Sequence, residues 1–347
     1  MIVYFFTAIF SSLFLYLFRV TKQKNKLLSK SFIFLSFVII WIVSAIRYGV
    51  GTDYFSYYNY VNYVDKLQFS DIKNREYGFW ILGKIVALFS DNGQLLIFVT
   101  SFIILFFIYK VICEYSSYPE ISILIFFGLG FYFNSLNIIR QYIALSIVFF
   151  SVHQLHKKNI KKYVTLVLIA TLFHYTALLG FVFLFVSIKK SRLYRTFVIL
   201  LILISVALFD KVLSYITPEE YYMYLSSSFV QKGANYIFFL ISLLISLLLI
   251  ILYKPLKNRR IYNEFYILCS IIGTSASLIG TKSLIIMRIA EYFTIFSLIS
   301  LPEIIKITTD KNIRVVIYLC FVFISIIGIY LFLSKNLGGV LPYNIYN

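Results

Sequence analysis

Long uncharged apolar runs recur along this chain, and most are close to the length that a lipid bilayer demands. No charged residue occurs between Ser31 and Ile46, and further apolar runs, some holding one to three charges, occupy 2–18, 94–112, 119–136, 138–156, 196–212, 236–253, 262–280, 284–303 and 315–333. A helix needs about 20 apolar residues to span the hydrocarbon layer, with a working range of about 17–25. Hydrocarbon offers no water to free backbone groups, so such runs become helices. Composition agrees: 61% of the 347 residues are hydrophobic and 13% are charged, whereas soluble domains carry about 25% charged residues. The expectation is an all-α polytopic integral membrane protein, one transmembrane domain over residues 1–347.

A net charge of +18 invites a nucleic-acid partner, and the placement of the charge rejects it. Segments 19–30, 110–118, 157–162, 189–195, 254–260 and 306–314 hold 21 of the 32 lysines and arginines. They alternate with apolar runs, as cytoplasmic loops do under the positive-inside rule, and form no single basic groove. Cys113, Cys269 and Cys320 lie in or beside apolar runs without ligand-like spacing and read as packing residues. The first run has no basic residue before it and Lys22, Lys24 and Lys26 after it. It therefore reads as a retained helix with its N-terminus outside.

Two stretches resist a simple count. Residues 77–90 are short and contain Lys84, which fits a short interfacial or re-entrant helix. Residues 163–188 are uncharged but interrupted by His174; two short tilted helices meeting near His174 keep every basic cluster on one side. About 12 crossings follow, with outer loops at 47–93 and 210–235. Both loops mix carboxylates with tyrosines, the pairing that sugars call for, although interfacial tyrosine is also a routine belt residue.

Six ionisable residues then gather at outer helix ends: Arg47, Asp53, Glu76, Arg140, His174 and Arg288, with Glu291 one turn from Arg288. Charges in lipid are costly unless paired, hydrated or used. Arg47 and Asp53 flank Gly49 and Gly51, whose conformational freedom would let the backbone approach a ligand. Arg140, in Asn137-Ile138-Ile139-Arg140-Gln141, combines a guanidinium with a helix start, which suits phosphate; snorkelling to head groups is the plainer reading. Glu291 neutralising Arg288 is the plainer reading there, and a hydrogen-bonding packer the plainer one for His174. The sequence has no P-loop, no dinucleotide-binding glycine pattern, no metal-ligand spacing and no nucleophile elbow. No cofactor or metal is expected, and the chemistry left is acid–base catalysis with arginine electrostatics.

These residues carry a resemblance. The segment Arg47 to Tyr54, Arg75-Glu76 before Tyr77-Gly78, Asn137-x-x-Arg140-Gln141 and Ala170-x-x-Phe173-His174 occur in the order seen in the EpsG-like, Wzy-type polysaccharide polymerases. Each motif alone is weak; four in order are fairly specific. Tyr77 is a departure, since many members have proline after the glutamate. The resemblance implies polymerisation of a capsule, exopolysaccharide or O-antigen at the outer face of the bacterial plasma membrane. Undecaprenyl-pyrophosphate-linked repeat units would be donor and acceptor, with the growing glycan moving to the non-reducing end of the incoming unit and lipid pyrophosphate leaving. Such an enzyme would be a metal-independent, inverting glycosyltransferase surrounded by membrane lipids, with a chain-length regulator and a flippase as partners. It also implies pyrophosphate contacts from Arg47, Arg140 and Arg288, and a base among Asp53, Glu76 and His174, with Asp53 favoured. Gly49, Gly51, Thr52, Tyr54, Asn137, Gln141 and Glu291 would line the substrate. A flippase or transporter for the lipid-linked unit, or an O-antigen-ligase-like transferase, is the alternative.

Overall fold

The computed structural model describes residues 1–71, 76–187, 204, 208, 236–260, 262–281 and 284–346. These residues are helical and form no strand, their one antiparallel bridge joining Arg47 to Ile345. In chain order the α-helices are α1 (Ile2–Thr21), α2 (Lys26–Ala45), α3 (Tyr54–Tyr58), α4 (Val61–Val64), α5 (Tyr77–Ala87) and α6 (Gln94–Tyr115). Then follow α7 (Pro119–Gly128), α8 (Phe131–Ser135), α9 (Ile139–His156), α10 (Ile160–Thr171) and α11 (Val182–Ser187). The last are α12 (Tyr236–Ile251), α13 (Tyr253–Arg259), α14 (Asn263–Gly280), α15 (Leu284–Thr294), α16 (Ser297–Ile304) and α17 (Lys311–Ser334).

Two compact units emerge, one built from 1–154, 159–178 and 301–347, the other from 155–158 and 179–300. In the first unit α1 and α2 form a hairpin whose turn is set by Asn25, accepting a bond from the Leu28 amide at 3.0 Å as the N-cap of α2. α7 and α8 together pack along α17. Tyr118 meets Tyr318 with ring centroids 6.0 Å apart, and Phe133 stacks on Phe332 at 4.5 Å. Midway, a Cβ on Gly328 would fall on the Gly128 carbonyl, the close backbone approach that small residues allow between membrane helices. In the second unit α14 carries Ser270 and Thr274, which bond Ser246 of α12 at 2.7 and 2.6 Å.

The first unit has two chemically distinct ends. At one lie Lys22 and Lys24 in the α1–α2 turn, an Arg19–Glu120 ion pair at 2.7 Å, and Lys306 over the Tyr118 ring at 5.8 Å. At the other, Tyr4 packs edge-on against Phe133 and Tyr343, beside the Arg47 turn and the segment Asn336–Tyr346.

Helices α1, α2, α6 and α17 are long and apolar enough to cross a bilayer. The bent pairs α12–α13 (72°) and α15–α16 (49°) raise the number to six if each is one span. The expected count of about 12 is not confirmed. One reason is local: the run 119–136 is not one helix, because α7 stops after 10 residues and Gly130 adopts φ +83°. Another is that the 196–212 run and most of the 210–235 loop lie outside the described residues. The stretch 77–90 does yield a short helix, α5, with 11 residues. The chain also breaks at His174, between the end of α10 and a 3-10 helix over Tyr175–Phe181.

Candidate functional site

Arg47 begins the loop after α2, and its side chain is 1% exposed. Its Nη1 donates to the Ser44 carbonyl and, at 3.2 Å, to Ser101 Oγ; its Nη2 donates to the Leu136 carbonyl at 3.1 Å. The guanidinium therefore clamps α2, α6 and the α8–α9 junction. A buried charge loses several kcal/mol of hydration, and charge-assisted bonds of about 1.5–3 kcal/mol each offset part of that loss. Arg47, expected as a pyrophosphate ligand, has its Nη donors on the Ser44 and Leu136 carbonyls and on Ser101 Oγ.

The glycines beside it have a similar explanation. Gly49 and Gly51 take φ +63° and +104°, values that L side chains rarely adopt. A Cβ on Gly51 would sit 3.0 Å from Asn137 Oδ1 and 3.3 Å from the Leu136 carbonyl. The close approach is to α8–α9 and to a later segment: the Gly51 amide donates to Gly339 O at 3.0 Å and the Thr52 amide to Gly338 O at 3.2 Å. Asn137 closes the assembly, its Oδ1 accepting from the Thr52 amide at 2.7 Å and its Nδ2 donating to Phe133 O at 3.1 Å. Tyr54 is buried, with its hydroxyl 2.6 Å from Gln94 Oε1. Asp53 is half-buried and takes a bond from Thr52 Oγ1 at 3.1 Å. Among the described residues its carboxylate forms no ion pair, with Arg47 or any other cation.

The structure does bring together Glu76, Arg140 and His174, from three separate stretches of sequence. Glu76 is 4% exposed and immediately precedes α5. Its Oε2 receives Arg140 Nη1 at 2.5 Å, and its Oε1 faces His174 Nε2 at 3.8 Å. Arg140, in the first turn of α9, keeps 44% of its side chain exposed; it is anchored on the carboxylate while open to a ligand. Phe79 and Tyr57 wall it, with ring centroids 5.6 and 5.9 Å from Cζ. Burial pushes the Glu76 carboxyl above the usual carboxylate range, and Arg140 pulls against that shift.

Local sequence explains how Glu76 reaches His174. The Gly78 amide donates to the Leu172 carbonyl at 2.8 Å. A Cβ on Gly78 would lie 2.9 Å from Leu172 Cβ and 3.0 Å from its carbonyl oxygen. So the start of α5 docks onto the break after α10 only because residue 78 has no side chain. Thr176, which the sequence reading passed over, has its Oγ1 2.7 Å and its amide 3.3 Å from His174 Nδ1. Its signal was present as a hydroxyl two residues after a histidine at a helix break. Nothing local marked Asn336–Tyr346 as a partner of the Arg47 turn.

Gln141 is buried on α9. Arg288 and Glu291 stand one turn apart on α15, in the second unit. Arg75 lies outside the described residues, as do the carboxylates and tyrosines of the 210–235 loop.

A family model described as the EpsG family matches residues 30–345. No curated protein and no solved structure matches the chain.

Proposed function

Since the chain belongs to the EpsG family, a Wzy-like polysaccharide polymerase family, we propose that it lengthens a glycan at the outer face of a bacterial plasma membrane. The observation that carries this reading is Glu76 held between an open Arg140 and His174, at the end of the first unit opposite Arg19, Lys22, Lys24 and Lys306. The positive-inside rule makes the lysine-bearing end cytoplasmic, which leaves the Glu76 cluster outside.

The donor is a glycan on undecaprenyl pyrophosphate, and the acceptor is the non-reducing end of an incoming lipid-linked unit. Arg140 meets the pyrophosphate, because an exposed guanidinium already oriented by a carboxylate loses little freedom on binding a phosphate in a forked geometry. Negative charge grows on that leaving group in the transition state, so a fixed cation there stabilises the transition state more than the ground state. Arg47, Gly49, Gly51, Thr52, Tyr54 and Asn137 shape the loop that carries Asp53 and precedes Glu76. Direct displacement inverts the anomeric centre and draws on side chains for the acid–base work.

Purified protein in vesicles, supplied with lipid-linked repeat units, tests this. Glycan ladders longer than the input, with lipid pyrophosphate released, are expected. Labelled lipid crossing the bilayer without any longer glycan would replace the reading with transport. Transfer of finished glycan only to a different acceptor would replace it with a ligase.

A further inference from the structure

The base could be Asp53, Glu76 or His174 on residue type alone, and the surroundings of His174 separate it from Glu76. A backbone N–H can only donate. The Thr176 amide, 3.3 Å from His174 Nδ1, therefore faces a lone pair there, and the Thr176 hydroxyl at 2.7 Å donates to the same atom. With Nδ1 accepting, the proton of the neutral ring resides on Nε2. That nitrogen faces Glu76 Oε1 at 3.8 Å, too far for a direct bond. The gap suits one oxygen atom placed off the line between them, about 2.8 Å from each. Such an oxygen would accept from Nε2–H and donate its own proton to Oε1, whose partner oxygen Oε2 is engaged by Arg140.

We infer that Glu76 is the general base, and that His174, its proton fixed on Nε2 by the positioning residue Thr176, is a hydrogen-bond donor that orients the acceptor hydroxyl. The inference rests on the polymerase reading for its substrate, a sugar hydroxyl. In the step, the hydroxyl proton passes to Glu76 Oε1 and the oxygen forms a bond to the donor's anomeric carbon. The bond from that carbon to the pyrophosphate oxygen breaks, and its electron pair leaves with the lipid pyrophosphate beside Arg140. His174 keeps its proton throughout: Nε2 already bears one, and Nδ1 is occupied by Thr176. The upward push of burial on the Glu76 carboxyl makes it a better proton acceptor than a solvated carboxylate.

Two measurements test this. Nitrogen-15 NMR of histidine-labelled full-length protein in lipid should show His174 protonated on Nε2 and bare on Nδ1. The signal is assigned by its loss in His174→Gln, since the chain has only three histidines. Thr176→Val should shift that signal toward the other tautomer, and Thr176→Ser should restore it. A proton on Nδ1 in the parent protein overturns the assignment. In the polymerisation assay, the side-chain amide introduced by His174→Gln sits where Nε2–H sits and donates but takes no proton. His174→Gln should retain activity within about tenfold of the parent, while His174→Ala and Glu76→Gln fall by about 10²–10⁴. If His174→Gln is as inactive as His174→Ala while both insert normally, His174 is the base and the inference is lost. Absence of polymer from the parent protein counts against the polymerase reading instead, and the NMR result still decides the tautomer.

Discussion

Two arginines that look alike in sequence have opposite lives in the fold. Arg47 is closed in by Ser44, Ser101 and Leu136, whereas Arg140 is fastened at one end to Glu76 and open at the other. Arg47→Met should therefore act on stability, since it strands buried carbonyls that lose their donors; about 2–4 kcal/mol is expected, seen as a lowered midpoint of thermal unfolding in detergent. Arg140→Lys should preserve the ion pair with Glu76 and the melting behaviour, yet cut polymer formation at least about tenfold, because an ammonium cannot grip a phosphate in the forked geometry. Similar melting losses in both variants would refute the division of labour. Sequence placed both residues at helix ends and could not tell them apart, because what distinguishes them is the direction of neighbouring carbonyls. Asp53, half-buried, and Glu76, enclosed between Arg140 and His174, likewise read identically as letters.

Glu76 also gives a pH signature. Its folded carboxyl holds its proton to higher pH than an ordinary glutamate, near 4.3 when unperturbed, because burial outweighs Arg140. The ionised form is thus the disfavoured one in the folded state, so this group's contribution to stability is best at low pH and is lost as pH rises through the folded value. Catalysis needs that ionised form. The rate of polymer formation should therefore rise with pH through a window above the usual carboxylate range. A rate that is flat from that range to neutrality would refute Glu76 as the titrating group.

At the scale of elements, glycines decide the contacts. Gly78→Ala inserts a methyl group against Leu172 and should lift the start of α5 from the break after α10. Polymer formation should drop at least about tenfold with little change in insertion, since a misplacement of about 1 Å can cost 10²-fold. Gly328→Leu drives α17 off α7 and should reduce folded yield itself. Normal yield of that variant would argue against the packing seen at Gly128. Length and apolarity placed the ends of α1, α2, α6 and α17 within five residues, the helices running on into charged residues beyond each apolar run. They failed over 119–136, where the run is equally apolar but Gly130 turns the backbone between α7 and α8. Hydropathy registers burial in lipid and protein alike and says nothing of direction, so a break inside an apolar run leaves no trace in it.

For the whole molecule, the distribution of lysine and arginine implies a side for each end. A single cysteine replacing Tyr60 should react with a membrane-impermeant maleimide from outside in intact cells, and one replacing Asn159 should react only after permeabilisation. The reverse pattern would move the Glu76 cluster to the cytoplasm and remove lipid-linked units of the outer face as substrates. The family match over residues 30–345 extends well beyond the stretch of about 40–180 that carries the motifs, with weaker agreement around Arg288. Of the later helices, α15 carries Arg288 and Glu291 and α14 carries Ser270 and Thr274.

The Arg47–Ile345 bridge has a temporal meaning as well as a spatial one. It joins strands of backbone that leave the ribosome far apart; the neighbouring Tyr343 hydroxyl reaches the Val43 carbonyl across 300 positions. Through most of synthesis, the loop that carries Asp53 and leads to Glu76 waits without its clasp while helix after helix enters the bilayer. A nascent chain halted before residue 336 already owns Glu76, Arg140 and His174, yet the ground on which they stand has not set. The Arg47 turn therefore closes only once Asn336–Tyr346 has been made.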